Sequence, residues 1–217
     1  MILLTGFEPF GGEAVNPSWA AAQLAAVALQ DGGREAAAVE LPCVFGKSAE
    51  VLRNAIGRLE PTLVLCVGQA GGRSKVSVER VAINVDDARI PDNDGNAPID
   101  QPVRRGGPAA YFSTLPIKAG RAAVAAAGIP VEVSQTAGTY VCNHVFYALM
   151  DTLAGRDGVR GGFIHVPYSS EQGLRHGAPG LAVEDMAAAL TLLAVAAVTS
   201  GGAPVDGDLR EAAGAEH

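Results

Sequence analysis

The stretch PVEVSQTAGTYVCNHVFYALMDTLAGRDGVRGGFIHV, residues 130–166, decides the fold. Residues 130–134 have the β-branched character of a strand, a glycine-containing turn follows at 135–141, and an apolar helical pattern covers 142–154. A second apolar strand is predicted over residues 162–166. A strand, a helix and a strand in this order form the repeating unit of α/β proteins.

The same alternation extends outward in both directions from this unit. We predict strands over residues 2–4, 36–41 and 62–67, and helices over residues 17–29, 48–59, 116–127 and 182–198. Asn16 suits the N-cap of the first helix, because its side chain can accept a hydrogen bond from a free backbone N–H, and Pro17 suits the first helical position. The whole pattern predicts a three-layer α/β/α sandwich around a mostly parallel, twisted sheet.

Two regions depart from this alternation. Residues 74–85 are predicted to be extended, and residues 86–108 are rich in Asp, Pro, Gly and Arg, which predicts a long loop. The tail from residue 201 is rich in Gly, Ala, Asp and Glu and predicts a flexible segment over 201–217. We therefore expect a single domain, residues 1–200, followed by this tail.

Composition and charge exclude several classes of protein. The net charge of −7 over 217 residues, without a run of Lys or Arg, argues against a nucleic-acid-binding protein. The longest apolar run, residues 186–198, is too short to span a membrane, and the N-terminal residues lack the charged region of a signal peptide. Three cysteines without a Cys-x-x-Cys pair favour a reducing, cytoplasmic location.

Cys142 is the residue best placed for chemistry. It follows a predicted strand and turn and opens a predicted helix, where free backbone N–H groups and the helix dipole stabilise a thiolate and can hold an oxyanion. A free cysteine is also a common core residue, and the local sequence alone leaves both interpretations open for Cys142. For Cys66, inside the apolar run LVLCV, we expect a buried structural role.

His165 is the preferred candidate for a general base. It lies near the end of a predicted strand, and we expect Cys142 at the same edge of the sheet. His144 is closer to Cys142 in sequence, but residues two apart on a helix do not face each other, so we expect a packing or capping role for it. His176 lies in a polar loop and is expected to face solvent.

The acid that would orient this histidine is harder to choose. Glu79 lies in the apolar alternating stretch VSVERVAINV and must have a partner if it is buried. A surface salt bridge with Arg73 or Arg80 explains Glu79 equally well. Asp92 and Asp94 lie in the predicted loop and suit the formation of turns.

Known motifs for other chemistries are absent from the sequence. There is no Gly-x-Ser-x-Gly, Walker A, Gly-x-Gly-x-x-Gly or His-Glu-x-x-His, and no cluster of His and Cys has metal-ligand spacing. Two Gly-rich loops, residues 6–12 and 68–73, follow predicted strands and can approach a ligand closely. We expect no metal and no cofactor.

Four sequence blocks together resemble the pyroglutamyl peptidase I (pyrrolidone carboxyl peptidase) family of cysteine peptidases. They are LLTGFEPFGG at 3–12 with NPSW at 16–19, GQAGGR at 68–73 with VERVAIN at 78–84 and DARIPD at 87–92, GTYVCNH at 138–144, and FIHVP at 163–167. The blocks occur in the family's order and cover the chain from about residue 3 to about residue 195. The resemblance implies removal of an N-terminal pyroglutamyl residue from peptides.

The resemblance also implies a Cys–His–Glu triad, which it maps onto Cys142, His165 and Glu79. It implies a pocket for the pyroglutamyl ring that is lined by Phe7, Phe10, Asn16, Gln69, Ile90 and Val141. Attack of the thiol on the substrate carbonyl would give a thioester, and the Cys142 N–H, helped in our interpretation by Arg89, would stabilise the oxyanion. Cys43 and Tyr140 depart from the Thr and Phe common in the family, which predicts an effect on fine specificity.

Two other functions are compatible with these residues. A phosphorolytic transferase on a similar α/β scaffold would hold phosphate in the Gly-rich loops, but it leaves Cys142 without a role. An inactive binding module would bind a ligand without turnover and show ordinary thiol reactivity. The resemblance implies a homotetramer that acts on pyroglutamyl peptides, and it favours the peptidase over both alternatives.

Overall fold

The computed structural model describes residues 1–200 and 208–214, which form ten strands and six α-helices. The strands are β1 (Ile2–Phe7), β2 (Ala36–Leu41), β3 (Leu63–Gln69), β4 (Val76–Glu79), β5 (Val81–Ile83), β6 (Ala110–Phe112), β7 (Val131–Ser134), β8 (Arg160–Val166), β9 (Tyr168–Ser169) and β10 (Gly180–Leu181). The helices are α1 (Pro17–Asp31), α2 (Lys47–Leu59), α3 (Ile117–Ala126), α4 (Val141–Leu153), α5 (Ser170–His176) and α6 (Val183–Thr199).

One six-stranded sheet organises the chain, in the order β2–β1–β3–β8–β4–β7. The first four strands are parallel, whereas β4 pairs antiparallel with β8 and β7 pairs parallel with β4. Two small two-stranded sheets, β5 with β6 and β9 with β10, lie outside it. The mostly parallel sheet predicted from the sequence is confirmed, with two strands at one side running in the opposite direction.

Helices cover both faces of this sheet, so its central strands are buried on both sides. Leu4, Leu65 and Ile164 on neighbouring strands contribute to one core with α1, α3 and α6. Leu3 and Val64 point the other way and pack with α2 and α4, since successive side chains of a strand alternate between faces. The three-layer α/β/α sandwich is therefore confirmed.

The first strand and helix position two residues of the predicted pocket. Asn16 is the N-cap of α1, as expected, and its Oδ1 accepts a hydrogen bond from the Ser18 N–H at 3.1 Å. β1 and β3 extend further than predicted. They end at Phe7 and Gln69, so the side chains of Phe7 and Gln69 lie on strand ends rather than in loops. Both ends point to the same edge of the sheet, because β1 and β3 are parallel.

Sequence periodicity does not reveal the short elements β6, β9, β10 and α5, because they are too short to show a period. His176, expected in a solvent-facing loop, is the last residue of α5, and its Nε2 lies 2.7 Å from Glu13 Oε1. The predicted loop over 86–108 contains no helix or strand, but an isolated bridge between Asp86 and Gln101 orders it.

Helix α6 covers the longest apolar run of the sequence. Its residues Leu190 and Leu193 are buried in the core that α6 shares with α1 and α3. Within residues 1–200 and 208–214, no helix has both the length and the apolar character needed to cross a membrane.

Part of the C-terminal tail, which is predicted to be flexible, contacts α3. The Asp208 carboxylate accepts hydrogen bonds from the backbone N–H groups of Lys118 and Ala119 at 3.0 and 2.8 Å, and Glu211 lies 3.5 Å from Arg121. The start of α3 has no cap from its own neighbouring side chain, so Asp208 satisfies its free N–H groups from a distance in sequence. The rest of the predicted flexible tail, 201–207 and 215–217, lies outside the described residues.

Candidate active site

Cys142 and His165 lie at the same edge of the sheet because of the connection between α4 and β8. α4 ends at Leu153 shortly before β8 begins, so the chain reverses and the start of α4 returns to the end of β8. A Cβ added at Gly161 would lie 2.6 Å from Leu153 Cδ1, and one added at Gly68 would lie 2.7 Å from Cys142 Sγ. In the pairing of β3 with β8, Gly68 of β3 lies opposite His165 of β8. The thiol, the backbone of Gly68 and the imidazole are therefore neighbours.

The reason expected for this proximity is wrong. A parallel sheet would place the ends of β7 and β8 at one edge. Strand β4 lies between them, parallel to β7 and antiparallel to β8, so β7 and β8 run in opposite directions. Ser134, at the end of β7, pairs with Glu79, whereas His165 pairs with Ser77. The return of α4, and not the end of β7, brings Cys142 to His165.

Glu79 is a fully buried carboxylate at the end of β4 with two polar partners. Its Oε1 lies 2.7 Å from His165 Nδ1 and 2.7 Å from Arg73 Nη1. An unpaired buried charge is costly, and Arg73 supplies the opposite charge beside this carboxylate. The salt bridge with Arg73 forms, but it is not a surface salt bridge because Glu79 is fully buried, and Arg80 donates to the side chain of Gln135 instead.

These contacts determine the protonation of the site. Glu79 accepts, so the proton of the neutral His165 ring lies on Nδ1 and Nε2 is free to accept another. Burial lowers the pKa of His165 below its usual value, although the hydrogen bond to Glu79 acts in the opposite direction. Burial also raises the pKa of the Cys142 thiol. Burial therefore disfavours a pair of charged thiolate and imidazolium in the free site.

The three thiols differ in their accessibility. Cys43 and Cys66 are buried, whereas Cys142 is partly exposed, and all three are free thiols. Burial raises the pKa of all three thiols, to about 12 for Cys43 and Cys66, so their accessibility and not their pKa sets Cys142 apart. Cys142 is thus the thiol that a reagent in solution reaches first.

Cys142 and His165 line one small cavity of about 170 Å³. The other lining residues are Phe7, Phe10, Asn16, Cys43, Gln69, Ala137 and Tyr140. This volume is below the roughly 300–1,000 Å³ of sites for drug-sized ligands, so the cavity suits a single small ring. Among the described residues, its lining combines aromatic and neutral amide side chains without a carboxylate.

Three residues assigned to the site from the sequence do not line this cavity. Val141, the first residue of α4, is fully buried in the core between α4 and the sheet, because its side chain faces the sheet. Ile90 is 47% exposed, and Arg89 is also exposed, because both lie in the loop that follows β5. Cys43 and Tyr140, the two departures from the family pattern, do line it.

Asn16 and Gln69 present amide groups to the cavity, and each is held by the protein on one side. Asn16 Oδ1 accepts from Ser18, and its Nδ2 donates to the Glu8 carbonyl oxygen at 3.0 Å. Gln69 Oε1 accepts from Nε2 of the buried Gln172 at 3.4 Å. An amide nitrogen carries two hydrogens, so each side chain keeps a donor for a ligand.

Glu8 lies between two aromatic residues of the cavity in sequence, but its carboxylate does not enter the cavity. Its Oε1 accepts hydrogen bonds from the Cys43 backbone N–H at 2.9 Å and from Asn93 Nδ2 at 2.8 Å. The carboxylate therefore supports the backbone behind the cavity wall and leaves the cavity free of negative charge.

Arg73 and Gly68 belong to the site, although they were not among the site residues predicted from the sequence. Besides its contact with Glu79, Arg73 donates through Nη2 to the Thr136 carbonyl oxygen at 3.1 Å, in the turn before Cys142. The signal for Arg73 is the need of a buried glutamate for a cation. The signal for Gly68 is a glycine at the end of a buried strand, which indicates close approach of another group.

A larger cavity of about 470 Å³ lies at the opposite edge of the sheet, near the starts of β3 and β8. Thr62, Arg160 and Tyr111 are among its lining residues, and no cysteine or histidine is. Within the described ranges, no group of three or more His, Cys, Asp or Glu side chains is arranged to hold a metal ion. The chemistry-bearing residues therefore belong to the smaller cavity.

A cysteine at a helix start, beside a histidine that is bonded to a buried glutamate, is the arrangement of a cysteine hydrolase on an α/β fold. A model of the pyroglutamyl peptidase family matches residues 1–200. The chain belongs to this family of cysteine peptidases.

Individual relatives agree with this assignment. The pyrrolidone-carboxylate peptidases of Escherichia fergusonii and Streptomyces coelicolor are each 55% identical to this chain, and each comparison covers 100% of this chain and 99% of the relative. The crystal structure of pyroglutamyl peptidase I from Bacillus amyloliquefaciens has a TM-score of 0.85 and 49% identity, over 91% of this chain and 94% of that one. A mutant pyrrolidone carboxyl peptidase from Pyrococcus furiosus has a TM-score of 0.83 and 39% identity, over 91% and 97%.

Proposed function

We propose that this chain removes N-terminal pyroglutamyl (5-oxoprolyl) residues from peptides through a thioester acyl-enzyme. Cys142 is the nucleophile, His165 the base and Glu79 the acid that orients the base. The observation that carries the proposal is the 2.7 Å contact between Glu79 Oε1 and His165 Nδ1, in a histidine that shares a small neutral cavity with Cys142. Family membership and 55% identity to a pyrrolidone-carboxylate peptidase support the same substrate.

Acylation begins with transfer of the thiol proton to the imidazole. Burial raises the pKa of Cys142 and lowers that of His165, so the proton moves as the sulfur attacks and not before the substrate binds. The sulfur forms a bond to the carbonyl carbon that follows the lactam ring, and His165 becomes an imidazolium. The ionised Glu79 stabilises this positive charge through the hydrogen bond to Nδ1.

The substrate oxygen becomes an oxyanion beside the start of α4. The first N–H groups of a helix have no bonding partner within the helix, and in α4 the bond from the His144 N–H to the Tyr140 carbonyl comes after Cys142. Tyr140 also gives this helix no side-chain cap. The Cys142 N–H is therefore available to the oxyanion. The imidazolium then protonates the leaving amine as the C–N bond breaks. Water hydrolyses the thioester with His165 again as base. Arg89 is the weaker candidate for the oxyanion, because it lies outside the cavity lining.

Recognition of the substrate follows from the neutrality of the cavity. A pyroglutamyl residue carries no charge at its N-terminus, because its amine is closed into a lactam. Phe7 and Phe10 offer aromatic faces to the ring, and the free amide hydrogens of Asn16 and Gln69 suit its carbonyl oxygen. Contacts of the substrate with Ile90 and Val141 stay predictions.

The two alternative functions receive no support. The family and the relatives named above are peptidases, and none of them is a phosphorolytic transferase. An inactive binding module would not need an ionised Glu79 buried against His165, because such a pair costs free energy of desolvation.

The direct test compares the wild type with Cys142→Ser on a chromogenic pyroglutamyl amide. A serine hydroxyl has a much higher pKa than a thiol, so we expect kcat to fall by on the order of 10³-fold or more. Cys66→Ala is the matched control, since Cys66 is a buried strand residue outside the cavity lining, and it should keep most of its turnover. Substantial turnover by Cys142→Ser would contradict the proposal.

We also propose a cytoplasmic homotetramer. The three free thiols support a reducing compartment, and the exposed apolar side chains of Leu24 and Val27 on α1 support burial against another copy. Light scattering of the purified chain measures the oligomeric mass, and fractionation of cells measures the location.

A further inference from the structure

Residues 43–46, which we call the wall segment, form one side of the cavity through Cys43. Backbone groups of the wall segment are bonded to three residues in loops, Glu8, Asp92 and Asn93. The Val44 carbonyl also accepts from Ser48 Oγ at 2.8 Å, at the start of α2. A further bond runs to His144, which lies on α4, the helix that carries Cys142. His144 is therefore the direct link between the cavity wall and the helix of the nucleophile.

The contacts of His144 require one tautomer of a neutral ring. The Gly46 N–H donates to His144 Nε2 at 3.1 Å, and His144 Nδ1 lies 2.8 Å from Asp86 Oδ2. Nε2 must accept, so the ring proton lies on Nδ1 and is donated to Asp86. His144 and Asp86 are both buried, and Asp86 Oδ1 has no hydrogen-bond partner in the described structure. A buried carboxylate with so few bonds is costly, so simple packing does not account for the pair.

Phe45 extends this link to the cavity lining. Its ring meets the His144 ring edge-on at 5.5 Å and the Tyr140 ring edge-on at 5.4 Å, measured between centroids. Tyr140 lines the cavity, and so does Cys43 at the other end of the wall segment. Loss of the Gly46 bond would release this end of the wall segment from α4 and loosen the packing of Phe45 on Tyr140, while the bonds to Glu8, Asp92 and Asn93 still hold Cys43 and the Phe45 N–H.

We propose that His144 is a positioning residue that holds the wall segment against the start of α4 and thereby sets the affinity for the substrate ring. The proposal rests on the proposed function and adds a residue that does not itself line the cavity. It goes beyond the packing or capping role expected from the sequence, because it predicts a change in the binding of the ring without a change in the nucleophile.

Two substitutions separate the two bonds of His144. His144→Asn keeps a donor near the position of Nδ1 and loses the acceptor for Gly46, whereas His144→Gln keeps an acceptor near the position of Nε2. For His144→Asn we expect KM for a pyroglutamyl amide to rise about 5- to 10-fold, the usual effect of one lost hydrogen bond, with kcat changed less than about twofold. For His144→Gln we expect KM within about twofold of the wild type.

The binding of the ring is also measured without turnover. The probe is 2-pyrrolidone, the lactam ring alone, and the readout is the concentration that protects Cys142 from alkylation by iodoacetamide. His144→Asn should raise this concentration by the same factor as KM and leave the unprotected alkylation rate unchanged. Asp208→Ala is the control, because it removes two backbone hydrogen bonds at the start of α3, at the opposite edge of the sheet. It should lower Tm and change neither KM nor protection.

Wild-type KM and protection in His144→Asn would overturn the proposal. Reduced kcat and slower alkylation with unchanged KM would also overturn it, since they indicate a role in the chemical step. If His144→Asn does not unfold cooperatively, Phe45→Leu takes its place, and the same joint rise is expected, with its absence again overturning the proposal. A wild type that does not cleave the amide would refute the proposed function, while protection by 2-pyrrolidone would still decide the role of His144.

Discussion

Replacing Gly68 with alanine should displace the thiol of Cys142. The new Cβ would lie 2.7 Å from Cys142 Sγ and 2.9 Å from Phe163 Cζ. Non-bonded heavy atoms prefer about 3.5–4.0 Å, so the sulfur must move by roughly 1 Å or the strand must shift. Gly68 is not among the glycines with positive φ, so alanine is compatible with its backbone and the effect is steric.

The size of the expected effect follows from this displacement. Misplacement of a reacting group by about 1 Å costs about 10²-fold in rate, so kcat/KM for a pyroglutamyl amide should fall by about 100-fold. Over-packing of a core typically costs about 1–3 kcal/mol, so the free energy of unfolding should fall by a similar amount. The loss of rate should therefore persist at temperatures where the variant is fully folded.

Initial rates on a pyroglutamyl amide and urea denaturation measure these two effects. Gly57→Ala is the matched control, because Gly57 is exposed on α2 and a Cβ added there meets no atom within 4 Å. It should leave kcat/KM unchanged and raise the free energy of unfolding by up to about 1 kcal/mol. If Gly68→Ala has the rate and the Cys142 alkylation of the wild type, then the thiol does not lie against Gly68 and the geometry described above is refuted.

Glu79→Gln should lower kcat by about 10- to 10⁴-fold with KM little changed, because an orienting carboxylate stabilises the imidazolium but exchanges no proton. Steady-state kinetics measure this, and full activity would mean that another acid orients His165. Across amides with the same leaving group, kcat/KM should fall about 10⁴-fold from pyroglutamyl to prolyl or glutaminyl, because a charged amine finds no partner in the neutral cavity. Comparable rates would indicate a general aminopeptidase. Burial lowers the pKa of His165, so the acidic limb of kcat/KM should lie below about pH 6.5, the usual pKa of histidine. Stability should also fall below about pH 6.5, because the unfolded chain then binds a proton that the folded protein does not; a limb above that pH would contradict this.

The layered architecture was accessible from the sequence because it depends on patterns within single elements. Apolar strands alternate with helical segments, and Asn16 and Pro17 mark the start of α1 by local chemistry alone. The direction of β7 was not accessible, because the residue pattern of a strand is the same in either direction. The capping of α3 by Asp208 was not accessible either, since it joins residues far apart in sequence.

The candidate site shows the same division. Cys142 and His165 were candidates from their positions at a helix start and a strand end, whereas Glu79 was assigned through the resemblance, since its local sequence shows neither its burial nor its contacts with His165 and Arg73. The sequence favoured packing or capping for His144, because it shows neither Asp86 nor Gly46 as a partner. The partners of Glu79 and His144 lie in other segments of the chain, so they become known only from the contacts between segments in the structure.

The most direct test of the central claim, that Cys142 is the nucleophile of a pyroglutamyl peptidase, is a titration with iodoacetamide at pH 7. Release of the chromophore from a pyroglutamyl amide is measured at each step, together with the labelled cysteine by mass spectrometry. We predict that activity falls in proportion to the label on Cys142, which appears before label on the buried Cys43 and Cys66. Full activity with Cys142 completely labelled, or loss of activity with label on Cys66 alone, would contradict the claim.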